Sequence, residues 1–247
     1  MADVKKILVH GWATDARVWD GVKNSMDGAA TLTLPSHESK AAAAWDSPTL
    51  APALAALTKA AGASPAIGIG WSLGAKVLMK AAADGLINLK ALILIAPTPS
   101  FVKREGFEFA QSRALTRRMR VDMQKDPAAT LKRFYRLNFT PEEMETNAAK
   151  TFIEKYETSG GFDYNGVTNA LTALMETDLK DDAAKINVPT LLIHGSADEV
   201  VPLEASVWLH KKIKNSTHVI IEGAGHAPFL TEEETFIGAI KAFLKGI

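Results

Sequence analysis

A single serine, Ser72, stands between two glycines in GWSLG, residues 70 to 74, where an apolar run ends and an amphipathic run begins. A serine hydroxyl can attack an acyl carbon, but only if a base removes its proton and a third group orients that base. The chain has no cysteine, which excludes a thiolate nucleophile, disulfides and thiolate metal sites together. Six histidines are available as the base: His10, His37, His194, His210, His218 and His226. His226 stands out, because GAGHAPF places it in a loop directly after the last apolar run. His210 sits beside two lysines in a helical stretch and His218 opens a strand, so both read as surface or packing residues. His37 lies in a polar loop and stays open as a base, and His10 reads as tying down its own loop by hydrogen bonds. For the orienting carboxylate, Asp198 in HGSADEVVP follows the fifth apolar run. Glu199 would point elsewhere, and Asp181 and Asp182 precede that run, at the opposite edge.

These residues need a scaffold that brings separated loops together. Short apolar runs at 5–11, 30–35, 65–71, 89–97, 188–195 and 218–223 read as buried parallel strands. Helical patterns fall between them, at 17–26, 49–61, 73–83, 203–213 and 232–244. The alternation predicts a doubly wound α/β sheet, in which ligands bind at the carboxyl edge where these loops open. The bare GxSxG pattern is weak, but a strand before it and a helix after it give the tight turn a purpose. Gly70 and Gly74 let strand and helix approach without Cβ clashes. The first helical N–H, from Leu73, and the N–H of Trp12 in HGWA after the first strand would then form an oxyanion hole.

Composition bounds the alternatives. A chain of 247 residues, 47% hydrophobic, can build one large α/β domain without a staple, and the proposed chemistry needs neither metal nor cofactor. Lys and Arg number 28 and Asp and Glu 28, so the whole molecule has no electrostatic footprint for nucleic acid or an acidic membrane. The N-terminal apolar run is too short for a signal peptide, and none approaches the roughly 20 residues of a membrane helix. A cytoplasmic monomer is the expectation.

The alternation breaks between Thr98 and Leu179, where helical periodicity continues without a convincing strand. The chain therefore divides into a core of residues 1–97 and 179–247 and a helical insertion of residues 98–178. From Lys103 to Arg136 there are ten Lys or Arg against four Asp or Glu; from Leu137 to Asp178 there are two against eight. The two halves can pack together and neutralise one another. Alternatively Arg113, Arg117, Arg118, Arg120, Lys132, Arg133 and Arg136 form a surface that attracts an acidic protein or a phosphate-bearing ligand.

HGWATDARVW at 10–19, GWSLGA at 70–75, DEVVP at 198–202 and AGHAPFL at 224–230 resemble the α/β-hydrolase superfamily across the whole chain. More narrowly they resemble the pimeloyl-acyl-carrier-protein methyl ester carboxylesterases of biotin synthesis. The resemblance implies a triad of Ser72, Asp198 and His226, an oxyanion hole of Trp12 and Leu73, and a helical cap over residues 98–178. It also implies that Arg133 and Phe134, in LKRFYRL, bind substrate, and that the basic part of the cap docks an acyl carrier protein. The sequence departs from the family in three places. It begins at the strand before HGW, without the usual antiparallel hairpin, which predicts six parallel strands in the order 2-1-3-4-5-6. LPSHESK at 34–40 replaces a glycine-rich pattern, and Ala75 stands where a second glycine is usual.

Three functions follow for testing: the carrier-bound methyl esterase, a carboxylesterase of broader range for small acyl esters, and a small-ligand receptor with a silent triad. A fluorophosphonate that fails to label Ser72 in a folded protein would select the receptor. The salt dependence of a preference for carrier-bound ester separates the other two.

Overall fold

The sequence AIGIGW explains why the centre of this protein is a parallel sheet. All six residues of Ala66–Trp71 are buried, which a strand tolerates only when helices cover both of its faces. The computed structural model describes residues 4–38, 43–158 and 162–247. Among them, six strands form one sheet: β1 (Lys5–Val9), β2 (Ala29–Leu32), β3 (Ala66–Trp71), β4 (Leu89–Ile95), β5 (Thr190–Gly195) and β6 (Ser216–Ile221). Their order is β2-β1-β3-β4-β5-β6 and every pairing is parallel. The order expected from the sequence is the order found.

The helices are α1 (Asp20–Lys23), α2 (Ala51–Ala61), α3 (Leu73–Ala83), α4 (Arg113–Lys125), α5 (Pro127–Arg136), α6 (Asn147–Thr158), α7 (Tyr164–Glu176), α8 (Leu203–Lys212), α9 (Pro228–Thr231) and α10 (Glu233–Lys245). The helix expected over 17–26 is shorter. Asp15 accepts the Arg17 N–H and starts a 3-10 turn, Ala16–Trp19, followed by the single turn of α1. Gly28, at φ 71°, then turns the chain into β2. β6 begins two residues earlier than the hydrophobic run suggests, because Ser216 pairs with Thr190 of β5.

Helices α4 to α7 occupy the stretch between β4 and β5, with only isolated bridging residues where strands might have been. The two ends of this insertion meet. Leu179 N–H donates to the Pro99 carbonyl at 2.9 Å, and Ser100 and Asp178 form an antiparallel bridge. Lys76 of α3 is buried beneath that junction and donates to the carbonyls of Pro99 (3.0 Å) and Thr177 (2.9 Å). Burial pushes its ammonium down to about 7.

The charge halves of the insertion pair in part. Lys132 and Arg136 both reach Glu157 of α6, at 3.1 and 3.4 Å. Arg118 and Arg133 share Asp122 within the basic half. Arg113, Arg117 and Arg120 have no carboxylate within 4.0 Å among the described residues.

Candidate active site

Ser72 occupies the turn between β3 and α3 with φ 54° and ψ −111°, a conformation that side-chain-bearing residues rarely adopt. Its N–H donates to the Ile95 carbonyl of β4, and its carbonyl accepts the Lys76 N–H of α3, so strand and helix hold the turn from both sides. The flanking glycines are required by contact. A Cβ on Gly74 would lie 2.2 Å from the Val9 carbonyl oxygen, and one on Gly70 would lie 2.6 Å from Gly74. Ala75, wholly buried, fits where the sequence substitutes it. The strained turn projects Ser72 at the carboxyl edge of the sheet, above the positive end of α3.

Asp198, at the end of β5, is fully committed. Its Oδ1 accepts the N–H groups of Val200 (2.8 Å) and Val201 (2.9 Å). Its Oδ2 lies 2.7 Å from His226 Nδ1 and 3.1 Å from His194 Nε2. Burial alone would raise the carboxyl; the imidazoles of His226 and His194 hold it well below the usual carboxylate range. The Asp198 carboxylate can only accept, so His226 Nδ1 carries the proton of that bond and Nε2 is the nitrogen left to act as a base. That Nε2 has no hydrogen-bond partner among the described residues, Ser72 included. Hydrogen bonds of this kind often close only when substrate is bound. Trp71, the residue before Ser72, donates its indole N–H to the His226 carbonyl at 2.8 Å and ties base loop to serine turn.

Trp12 and Leu73 both lie at this edge, buried. No loop, cap or side-chain hydrogen bond among the described residues uses either backbone N–H. The Trp12 indole donates to the Val167 carbonyl of α7, and the next residue, Ala13 at φ 56°, offers its carbonyl to the Tyr135 hydroxyl. His10 donates from Nδ1 to Gly11 and accepts the Leu34 N–H on Nε2. It is therefore neutral and structural, and burial pushes it down to about 4. His37, expected in a polar loop, is instead completely buried against His10 and Trp45. Ser39 and Lys40 of LPSHESK lie outside the described residues.

Phe134 packs edge-on against Trp12, with ring centroids 4.8 Å apart. With Phe101, Leu115, Met119, Leu137 and Val200 it lines an apolar cavity of 530 Å³ between α4, α5 and the loop after Asp198. Arg118, Arg133 and Arg136 border that cavity with exposed side chains. Neither Ser72 nor His226 lines the cavity.

Three residues near the site escaped the sequence reading: His194, Asn138 and Glu143. A histidine inside the buried run LLIHG was a signal for the first. The Thr140 to Glu143 spacing marks a helix start, but nothing local indicates which loop Glu143 reaches across to.

A parallel sheet of this order, with a strained serine turn and a helical insertion between its fourth and fifth strands, defines the class of the α/β hydrolases. The chain belongs to the alpha/beta hydrolase family, whose model matches residues 7–239. It is similar to pimeloyl-[acyl-carrier protein] methyl ester esterases: 28% identical to that of Nitrosomonas europaea, over 96% of this chain and 94% of that one. The corresponding protein of Chromobacterium violaceum is 29% identical, over 97% and 93%. In fold it is similar to the bromoperoxidase of Bacillus anthracis, with a TM-score of 0.86 and 22% identity over 98% of this chain and 92% of that one.

Proposed function

We propose that the protein is a serine carboxylesterase that hydrolyses esters through an acyl-enzyme. The observation that carries this reading is the His226–Asp198 bond of 2.7 Å, which leaves His226 Nε2 buried and unpartnered on a loop tied to the Ser72 turn. Ser72 Oγ attacks the ester carbonyl while His226 Nε2 takes its proton. Asp198 orients the imidazole and stabilises the imidazolium. The N–H groups of Trp12 and Leu73 receive the oxyanion. His226 returns the proton to the departing alkoxide, and the alcohol leaves. Water, deprotonated by His226, then attacks the acyl-enzyme, and His226 returns that proton to Ser72 Oγ as the acid is released. No metal or cofactor enters these steps, and all the groups named come from one chain.

The substrate we propose is the methyl ester of a pimeloyl chain on its carrier protein, a cytoplasmic intermediate of biotin synthesis. The naming of the similar esterases supports it. So does the apolar cavity bordered by Arg118, Arg133 and Arg136, which suits an acyl chain arriving on an acidic protein. In this reading residues 98–178 act as a cap, with Phe134 and Arg133 contacting substrate. A fluorophosphonate should label Ser72, and absence of labelling in the folded protein would sink the esterase reading. Carrier-bound methyl ester should be preferred over a free short-chain ester, and rising salt should erode that preference. A preference indifferent to salt would count against docking on the basic cap.

A further inference from the structure

Glu143 lies in the helical insertion, yet only 7% of it is exposed. Part of its role is local. Its Oε2 accepts the Thr140 N–H at 2.9 Å while its own N–H donates to Thr140 Oγ1 at 3.2 Å, a reciprocal pair of the capping-box kind that closes the turn into the 3-10 segment Glu143–Glu145. A cap of this kind needs one carboxylate oxygen and one lone pair. The remaining bonds leave the insertion: Oε2 also accepts the Gly225 N–H at 3.0 Å, and Oε1 accepts the hydroxyl of Thr231. The next N–H, that of His226 itself, donates to the carbonyl of Asn138 at 2.9 Å. Two successive peptide groups of the base loop are therefore received by residues 138–143. The approach is close enough that a Cβ on Gly225 would lie 2.7 Å from both Asn138 O and Glu143 Oε2.

We propose that Glu143 is a positioning residue for His226: by holding Gly225 and Thr231 it sets where the base loop sits, and so couples the helical insertion to the base. Helix α5, which ends just before residues 138–143, reaches the oxyanion loop through Phe134 on Trp12 and the Tyr135 hydroxyl on Ala13. Movement of the insertion is thereby transmitted to both loops. The kinetic consequence rests on the esterase reading; the geometric claim does not.

Glu143→Gln separates this role from plain capping. Glutamine can serve a capping box with its one oxygen, but it keeps Thr231 only if its NH2 turns to that hydroxyl and reverses the bond, so the three partners are no longer all received as donors. With a small chromogenic ester, kcat should fall by about 10-fold or more while KM stays within about two-fold, since a displaced base slows chemistry rather than binding. The downfield proton NMR signal of His226 Nδ1–H, bonded to Asp198, should move upfield. Thr231→Val removes one donor only and should shift both readouts the same way by less. If Glu143→Gln lowers the melting temperature but leaves kcat and the NMR signal unchanged, or if Thr231→Val alters neither, the proposal is overturned. The NMR signal decides even if the wild-type protein proves inert and Ser72 unlabelled, and it carries the decision to Thr231→Val if the glutamine variant does not fold.

Discussion

The serine turn and the base loop each hold one side chain at the same sheet edge, and they are built by opposite means. Around Ser72 the restraints come from the adjoining strand and helix: a left-handed backbone, two glycines that allow contact, and hydrogen bonds to Ile95 and Lys76. Around His226 they come from far along the chain: Asn138 and Glu143 in the insertion, Asp198 after β5, and the Trp71 indole. A locally built turn is as stable as the sheet it belongs to. A loop held by a separate layer responds when that layer shifts.

The largest test asks whether the two regions act as one device. Ser72→Ala should lower kcat by about 10⁶-fold and Asp198→Asn alone by about 10⁴-fold, and the double variant should be no worse than Ser72→Ala. Steady-state kinetics with an activated ester decide it; multiplying losses would make the two regions independent. Next, a pair of glycine substitutions should dissociate stability from activity. Gly74→Ala forces a Cβ against the Val9 carbonyl within the sheet and should cost about 3 kcal/mol in denaturant unfolding. Gly225→Ala should cost less, about 1 to 2 kcal/mol, because the insertion can retreat, yet it should impair kcat more strongly in the protein that remains folded.

Acid provides a third test, on the oxyanion side. Burial pushes His10 down to about 4 and His37 down to about 3, from an ordinary value of 6.5. Below pH 6.5 the unfolded chain takes up protons that the folded one refuses, so stability should fall as pH drops from 6.5 toward 4. Thermal melts across that range should show the slope, and His37→Gln should flatten it. The smallest effect belongs to the surface: Glu157→Gln, which breaks the pairs to Lys132 and Arg136, should change stability by less than about 1 kcal/mol.

What could be read from the sequence follows the same division. The Ser72 turn and the loops bearing Asp198 and His226 were legible because each rests on a local pattern of apolar run, glycine and polar residue, whereas the strand order came from the resemblance to the α/β hydrolases. The boundaries of α1 and β6 were not, since an Asp15 side-chain bond and the pairing with β5 fixed them. His37 misled because a polar neighbourhood in sequence folds inward against His10 and Trp45. Glu143 was invisible for a different reason: its partners are Gly225 and Thr231, and no spacing rule links residues so far apart.

The junction over Lys76 gives the insertion the topology of an exchangeable cassette. Chain entry at Pro99 and exit at Leu179 are joined by one hydrogen bond of 2.9 Å, and one ammonium on α3 ties both strands of the neck to the sheet. A different helical module could be grafted between those two residues without disturbing the pairing of β4 with β5. What the graft would have to reproduce includes acceptors for the Gly225, His226 and Trp12 indole N–H groups and for the Thr231 hydroxyl, a donor to the Ala13 carbonyl, and a ring to sit against Trp12.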